Sequence, residues 1–173
     1  MKIAAFDSGS KGGIAILDQD AELIDTLEMT VNDKYPIKHI DSKSIKDFIN
    51  LHQPEYIFVE LVTGKEGGRG QNTKTSLFVQ GGYYHQLGDI LYSLGCSHEK
   101  IKMIKPVDWK KSIGVSGAIK GDRKEKTKQL VKELYKGQEE LYITPRGRVM
   151  DGVTDAIGIA CAGIKYLKSK GVV

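Results

Sequence analysis

The sequence predicts an α/β domain built on a mixed five-stranded sheet, three antiparallel strands followed by parallel ones, with helices on both faces. Three observations lead there. The chain opens with two strand-like runs, 3–6 and 14–17, around the glycine-rich turn Ser8-Gly9-Ser10-Lys11-Gly12-Gly13. A run of aromatic and β-branched residues, 56–59, lies between Pro54 and Gly64 with no turn residue inside it. Helix-patterned segments separate and follow these runs.

The first two runs read as a β-hairpin. Residues 22–30 continue as a third antiparallel strand, and 42–51 read as a helix with Ile45, Phe48 and Ile49 inward. The 56–59 run reads as a buried central strand of a sheet covered on both faces. Residues 75–94 give a long helix ending at Gly95, and 101–104 a strand stopped by Pro106. Helical patterns follow around Lys124 to Lys136, with Leu130, Val131 and Leu134, and from Asp151 onward.

The chain has 173 residues and is 40% hydrophobic, which suits one domain, 1–173, with a full core and no room for two large lobes. Cys96 and Cys161 lack CxxC spacing and the four histidines do not cluster, so neither a disulfide framework nor a zinc site is expected. No stretch approaches 18 uninterrupted apolar residues and the chain begins directly on a strand, so the expectation is a soluble, intracellular protein with no membrane partner.

Four carboxylates stand where carboxylates are unexpected. Asp7 closes the first strand, and Glu60 closes the central strand, where an ionised side chain is costly unless it is paired, hydrogen-bonded or metal-bound. Asp151 and Asp155 are four apart, so a helix stacks them on one face, where like charges repel unless a cation offsets them. Singly, each has a plainer reading: Asp7 as a turn cap, Asp151 as a helix cap, Asp155 as a first-turn acid. Together they point to one shared divalent-metal site of a nuclease. Oxygen-only ligands suit Mg²⁺ or Mn²⁺, and two such ions can support in-line displacement at phosphorus. Without metal, the cluster predicts at least one raised carboxyl pKa and a fold that metal stabilises.

Net charge is +4, but residues 102–136 hold 11 of the 26 basic side chains against 4 acids. This asymmetry suits a polyanion-binding segment set apart from the carboxylates. Lys110, Lys111, Lys120 and Arg123 are expected in a glycine-bearing loop, with Lys124 and Lys126 on the helix behind it. A solvated helix face is the plainer alternative. A further loop, 63–74, follows Glu60 directly and carries Lys65, Arg69 and Lys74 toward a substrate backbone. It lacks the spacing of a phosphate-binding P-loop.

The element order, together with Ala5-Phe6-Asp7-Ser8-Gly9-Ser10, Phe58-Val59-Glu60, Pro106-Val107-Asp108-Trp109-Lys110-Lys111, Lys124-Glu125-Lys126 and Asp151-Gly152-Val153-Thr154-Asp155-Ala156, resembles the RuvC-type Holliday junction resolvases of the ribonuclease H-like superfamily, nearly from end to end. The likeness is to the branch carried by phages and large viruses, which implies action in the cytoplasm of a host cell. The resemblance implies that Asp7, Glu60, Asp151 and Asp155 bind two Mg²⁺ or Mn²⁺ ions, with Lys110 or Lys111, and Lys126, near the scissile phosphate. It also implies a two-fold homodimer cutting four-way DNA junctions by paired nicks, and the 75–94 helix, with Phe78, Tyr83, Tyr84, Leu87 and Leu91, is the interface candidate. Burial of that helix within one chain is the alternative.

Two positions depart from the family pattern: Ser8 replaces a proline common in bacterial members, and Thr63 stands where an aromatic residue is frequent. Other classes stay open. The Asp7-Ser8-Gly9 hairpin also fits an actin-like kinase, although such folds need a second lobe. A debranching nuclease cutting forks, flaps and three-way junctions, and a non-catalytic branched-DNA-binding module, share the scaffold.

Overall fold

The computed structural model describes residues 1–9, 11–32, 39–61, 74–115 and 120–173. Strands β1 (Lys2–Asp7), β2 (Gly13–Asp18) and β3 (Leu23–Glu28) form an antiparallel meander. A small ladder of β4 (Val31–Asn32) and β5 (His39–Ile40), unforeseen in the sequence, leads into α1 (Ser42–His52). Asp41 starts that helix by accepting the Ser44 N–H at 3.2 Å. Strand β6 (Tyr56–Glu60) then pairs with β1 in parallel, and after α2 (Lys74–Ser93) strand β7 (Ile101–Ile104) pairs in parallel with β6. The sheet order β3-β2-β1-β6-β7 is the mixed five-stranded arrangement expected.

The chain ends with α3 (Pro106–Ser112), α4 (Lys120–Leu134) and α5 (Asp151–Ser169). α3 corrects the sequence reading, which has a loop around Lys110 and Lys111. Pro106 ends β7 and also opens this helix at its first position, where a missing N–H costs nothing.

Alternation along the strands assigns each residue to a face. Ile3, Ala5, Ala15, Leu17 and Phe58 pack in the core under α5, while Ala4, Phe6, Ile14, Ile16, Ile57 and Val59 pack in a second core under α1 and α2. Both faces are covered, which is why the run Ile3, Ala4, Ala5 and Phe6 is apolar throughout and fully buried. Asp7 shares parity with Ile3 and Ala5, and Glu60 with Phe58. Both carboxylates therefore fall on the α5 face.

Two expectations about helix faces change. Leu134 is exposed, so α4 contributes Val131 to the core and Leu130 in part. On α2, Tyr83, Leu87 and Leu91 are buried against α1 and the sheet, which leaves Phe78 as the fully exposed member of the proposed interface set, joined by Tyr92. No helix among the described residues is long and apolar enough to cross a membrane.

Candidate active site

The four acids meet at the carboxyl end of the sheet, where parallel strands place their ligands. The ladder aligns Asp7 with Gly13 and Gly13 with Glu28, and in the parallel pair Phe6 faces Val59, so Glu28, Gly13, Asp7 and Glu60 occupy one row across four strands. Gly13 is the gap in that row. A Cβ there would lie 2.5 Å from the Val153 nitrogen, and a Cβ on Gly152 would lie 2.1 Å from the Lys11 carbonyl oxygen. Backbone packs on backbone at this point, with Gly12 bridged to Gly152. The two glycine positions let the N-terminus of α5 descend onto the strand ends, bringing Asp151 and Asp155 beside Asp7.

Each carboxylate is held differently. Asp7 accepts the Gly9 N–H at 3.2 Å, so it caps its turn as well as facing the cluster. Burial, reinforced by the charges of Glu60 and Asp155, pushes the Asp7 carboxyl up to about 7. Burial likewise raises Asp155 to about 6; Lys110 pulls it down, and Glu60 pushes it up. Glu60 accepts a hydrogen bond from the indole Nε1 of Trp109 at 2.7 Å. Trp109 is fully buried, and Gly158 of α5 makes room for its ring. At Asp151, burial favours the neutral form, but Lys124 at 2.6 Å and Lys128 at 2.8 Å outweigh it and hold the carboxyl below its usual value.

That ion pair shapes the cluster. Among the described residues no three acidic or other metal-ligating side chains converge closely enough to hold a metal ion in this arrangement, and Asp151 is paired with two lysines. The donor set nonetheless suits a hard divalent cation: it is all oxygen, and two carboxyls are raised by burial and by neighbouring acids. A bound cation would relieve that combination while leaving the carboxylates ionised.

The basic residues sort clearly. Lys110 on α3 lowers both Asp7 and Asp155 by its charge and lies 4.7 Å from the Trp109 ring centre, whereas Lys111 is exposed. On α4, Lys124 and Lys128 share the face toward α5. Lys126 lies about 200° around the helix from Lys124; it is exposed and does not line the cleft, so the structure does not bring it to the acids. Arg123 is half-buried near the start of α4. Lys74 and Lys120 open α2 and α4, and Lys65 and Arg69, with nearly all of the 63–74 loop, lie outside the described residues.

A cleft of about 680 Å³ opens over Asp7, Asp151 and Asp155 and includes Lys128, Lys132, Arg148 and Glu28 in its lining. The sequence places Lys128 and Lys132 within the basic 102–136 segment without singling them out, although their spacing of four from Lys124 marks one face. Glu28 and Arg148 pair at 3.0 Å across 120 residues of sequence, and nothing local in the chain signals that contact. Trp109 is visible in the sequence only as part of a motif, and its bond to Glu60 needs the sheet and α5 to be assembled.

No family model and no curated protein matches the chain. Solved structures do. RuvC of T. thermophilus in complex with Holliday junction substrate superposes with a TM-score of 0.65 at 14% identity, covering 99% of this chain and 97% of that one. A Thermus thermophilus RuvC structure gives 0.60 at 15% identity over 99% and 98%. Fowlpox virus resolvase, in complex with Holliday junction DNA, gives 0.51 at 16% identity over 96% and 99%. With a meander of three strands, two parallel additions and helices on both faces aligned nearly end to end, the chain has the ribonuclease H-like fold of the RuvC-type Holliday junction resolvases.

Proposed function

We propose that the protein is a divalent-metal-dependent DNA endonuclease that cuts four-way junctions by paired, symmetric nicks. The observation that carries this reading is the pair of neighbouring strand-end carboxylates, Asp7 and Glu60, met by Asp151 and Asp155 from the first two turns of α5, beside a cleft edged with lysines. A module that only bound DNA would place those buried acids against a polyanion at a cost, with nothing gained.

Asp7, Glu60, Asp155 and Asp151 would have to draw closer together to hold Mg²⁺ or Mn²⁺, two ions per site, with Asp151 exchanging its lysines for metal. When bound, such ions supply charge at phosphorus and a more acidic water. The chain's own residues do the rest. Trp109 fixes the Glu60 carboxylate, and Lys110 adds positive charge where the phosphoryl oxygens gain negative charge. Lys124 and Lys128, freed from Asp151, bind the phosphate flanking the cut.

Paired nicks need two sites, so a homodimer is proposed, joined through the exposed face of α2. Phe78 and Tyr92 are 84% and 85% exposed there, and a Cβ added at Gly82 or Gly88 on the same helix would have nothing within 4 Å among the described residues. A glycine inside a helix costs about 1 kcal/mol relative to alanine. A close partner helix gives that sequence a use.

Cleavage of labelled four-way, three-way and linear duplex DNA tests the reading, with Mg²⁺, Mn²⁺ or chelator and with Asp7→Asn and Asp155→Asn. Symmetric, metal-dependent nicks in the four-way junction that vanish in both variants support it. Equal cutting of forks, flaps and three-way junctions replaces it with a debranching enzyme, and binding without cutting overturns the nuclease reading.

A further inference from the structure

The cleft does not end at the acids. On α4, Lys124, Lys128 and Lys132 recur every four residues along one face, about 12 Å from first to last at 1.5 Å per residue. The first two touch Asp151, while Lys132 is exposed and free of any ion pair with the four acids. Arg148 lines the same cleft. This arginine is not a loose surface side chain. It follows the tight turn Thr144-Pro145-Arg146-Gly147, closed by the Gly147 N–H to the Thr144 carbonyl at 2.8 Å, with Gly147 at φ +78°. Its own N–H donates to Thr144 Oγ1 at 3.1 Å, and Met150 donates to the carbonyl of fully buried Tyr142 at 2.9 Å. The hairpin is thus anchored to the core, and it presents a guanidinium whose Nη2 contacts both Glu28 oxygens at 3.0 Å.

Glu28 shares the sheet row of Asp7, but β2 and Arg148 separate it from the cluster, so it has no place among the ligand acids. A carboxylate in a DNA groove repels the strand unless it is neutralised. Arginine can exchange a carboxylate for a phosphate with little change of geometry, since its planar fork suits both. We propose that Lys128, Lys132 and Arg148 form an arm that tracks the cut strand on one side of the scissile phosphate, with Glu28 holding Arg148 until a backbone phosphate replaces it. The inference rests on the nuclease reading. Lys128 and Lys132 are about 6 Å apart along α4, which is about two phosphates at about 3.4 Å of duplex axis each.

The test is binding of the native chain, in chelator, to a labelled four-way junction across a series of KCl concentrations. Each phosphate contact contributes about 0.7–0.9 to the slope of log affinity against log salt. Lys132→Gln and Arg148→Gln should each lower the slope by about that amount and weaken binding at low salt, while Lys168→Gln, an equal charge change at the far end of α5, leaves it alone. Glu28→Gln should tighten binding severalfold. Ethylation of single phosphates should interfere on one side of the cut, and the outermost interference should disappear in Lys132→Gln. Unchanged slopes in a wild-type background that binds and cuts junctions would overturn the arm alone. A wild-type protein that neither binds nor cuts would remove the nuclease reading and the arm with it.

Discussion

Asp7 is a buried carboxyl facing two other acids, and the sign of its effect on stability follows directly. Its carboxyl lies near 3.8 when unfolded and about 7 when folded. Folding then demands an unfavourable charge that is absent below pH 4, grows through the interval and is complete above pH 7, at about 1.4 kcal/mol for each pH unit between the two values. Asp7→Asn should abolish cleavage, by at least about 100-fold for loss of a ligand's alignment, yet raise the melting temperature of the metal-free protein at pH 8. Differential scanning calorimetry of both proteins at pH 5 and pH 8 checks this, and the gain should shrink at the lower pH. Trp109→Phe tests a different kind of residue. Removing the indole donor leaves Glu60 without its 2.7 Å partner, and cleavage should fall by about 10–100-fold. Because Trp109 positions a carboxylate rather than touching DNA, much of that loss should be recovered at higher Mn²⁺ concentration, which a loss of fold would not permit.

Elements explain what could be read in the chain beforehand. The strands and their terminal acids were legible because each is a local pattern: an apolar run, a turn, a misplaced carboxylate. α1 was legible for the same reason. α3 was not, because seven residues opened by a proline give too short a repeat to separate from a loop. The inward face of α2 was only half legible, since aromatic residues line both sides of it and sequence cannot say which side the sheet takes. The lysines show the same limit at the site. Spacing could have grouped Lys124, Lys128 and Lys132, but that Lys126 faces away depends on where α5 docks. That docking yields a sharp test. Gly152→Ala forces a methyl group into the Lys11 carbonyl, so α5 must back away from the strand ends. Melting temperature should fall by several degrees, as about 1–3 kcal/mol of overpacking implies, and cleavage should be lost even under conditions where the variant remains folded by circular dichroism. On α2, Phe78→Glu with Tyr92→Glu should yield a monomer by sedimentation without lowering the melting temperature of the isolated chain.

Across the whole molecule, charge and metal are linked. Asp7 and Asp155 both destabilise the metal-free fold as pH rises from about 4 to between 6 and 7, whereas Asp151, held down by its lysines, withdraws its contribution only as pH falls below its ordinary value. Between pH 5 and pH 8 the metal-free protein should therefore lose stability with rising pH. Saturating Mg²⁺ should flatten that slope, because a cation favours the ionised carboxylates. Thermal melts at several pH values, with and without Mg²⁺, measure the difference. A melting temperature indifferent to the metal at pH 8 would count heavily against the site.

The alternation that sorts each strand between two faces has a consequence for how such a chain can change. Because Asp7 and Glu60 meet only by sharing parity with Ala5 and Phe58, deleting one residue within β1 or β6 would swing the carboxylate through the sheet into the opposite core, while deleting two would shorten the strand and leave the acid on its own side. Substitutions face no such parity rule, although the acids and the close-packed Gly13, Gly152 and Gly158 face constraints of their own. The fold shared with RuvC at 14% identity is compatible with wide exchange of the other side chains, so long as strand lengths change in twos.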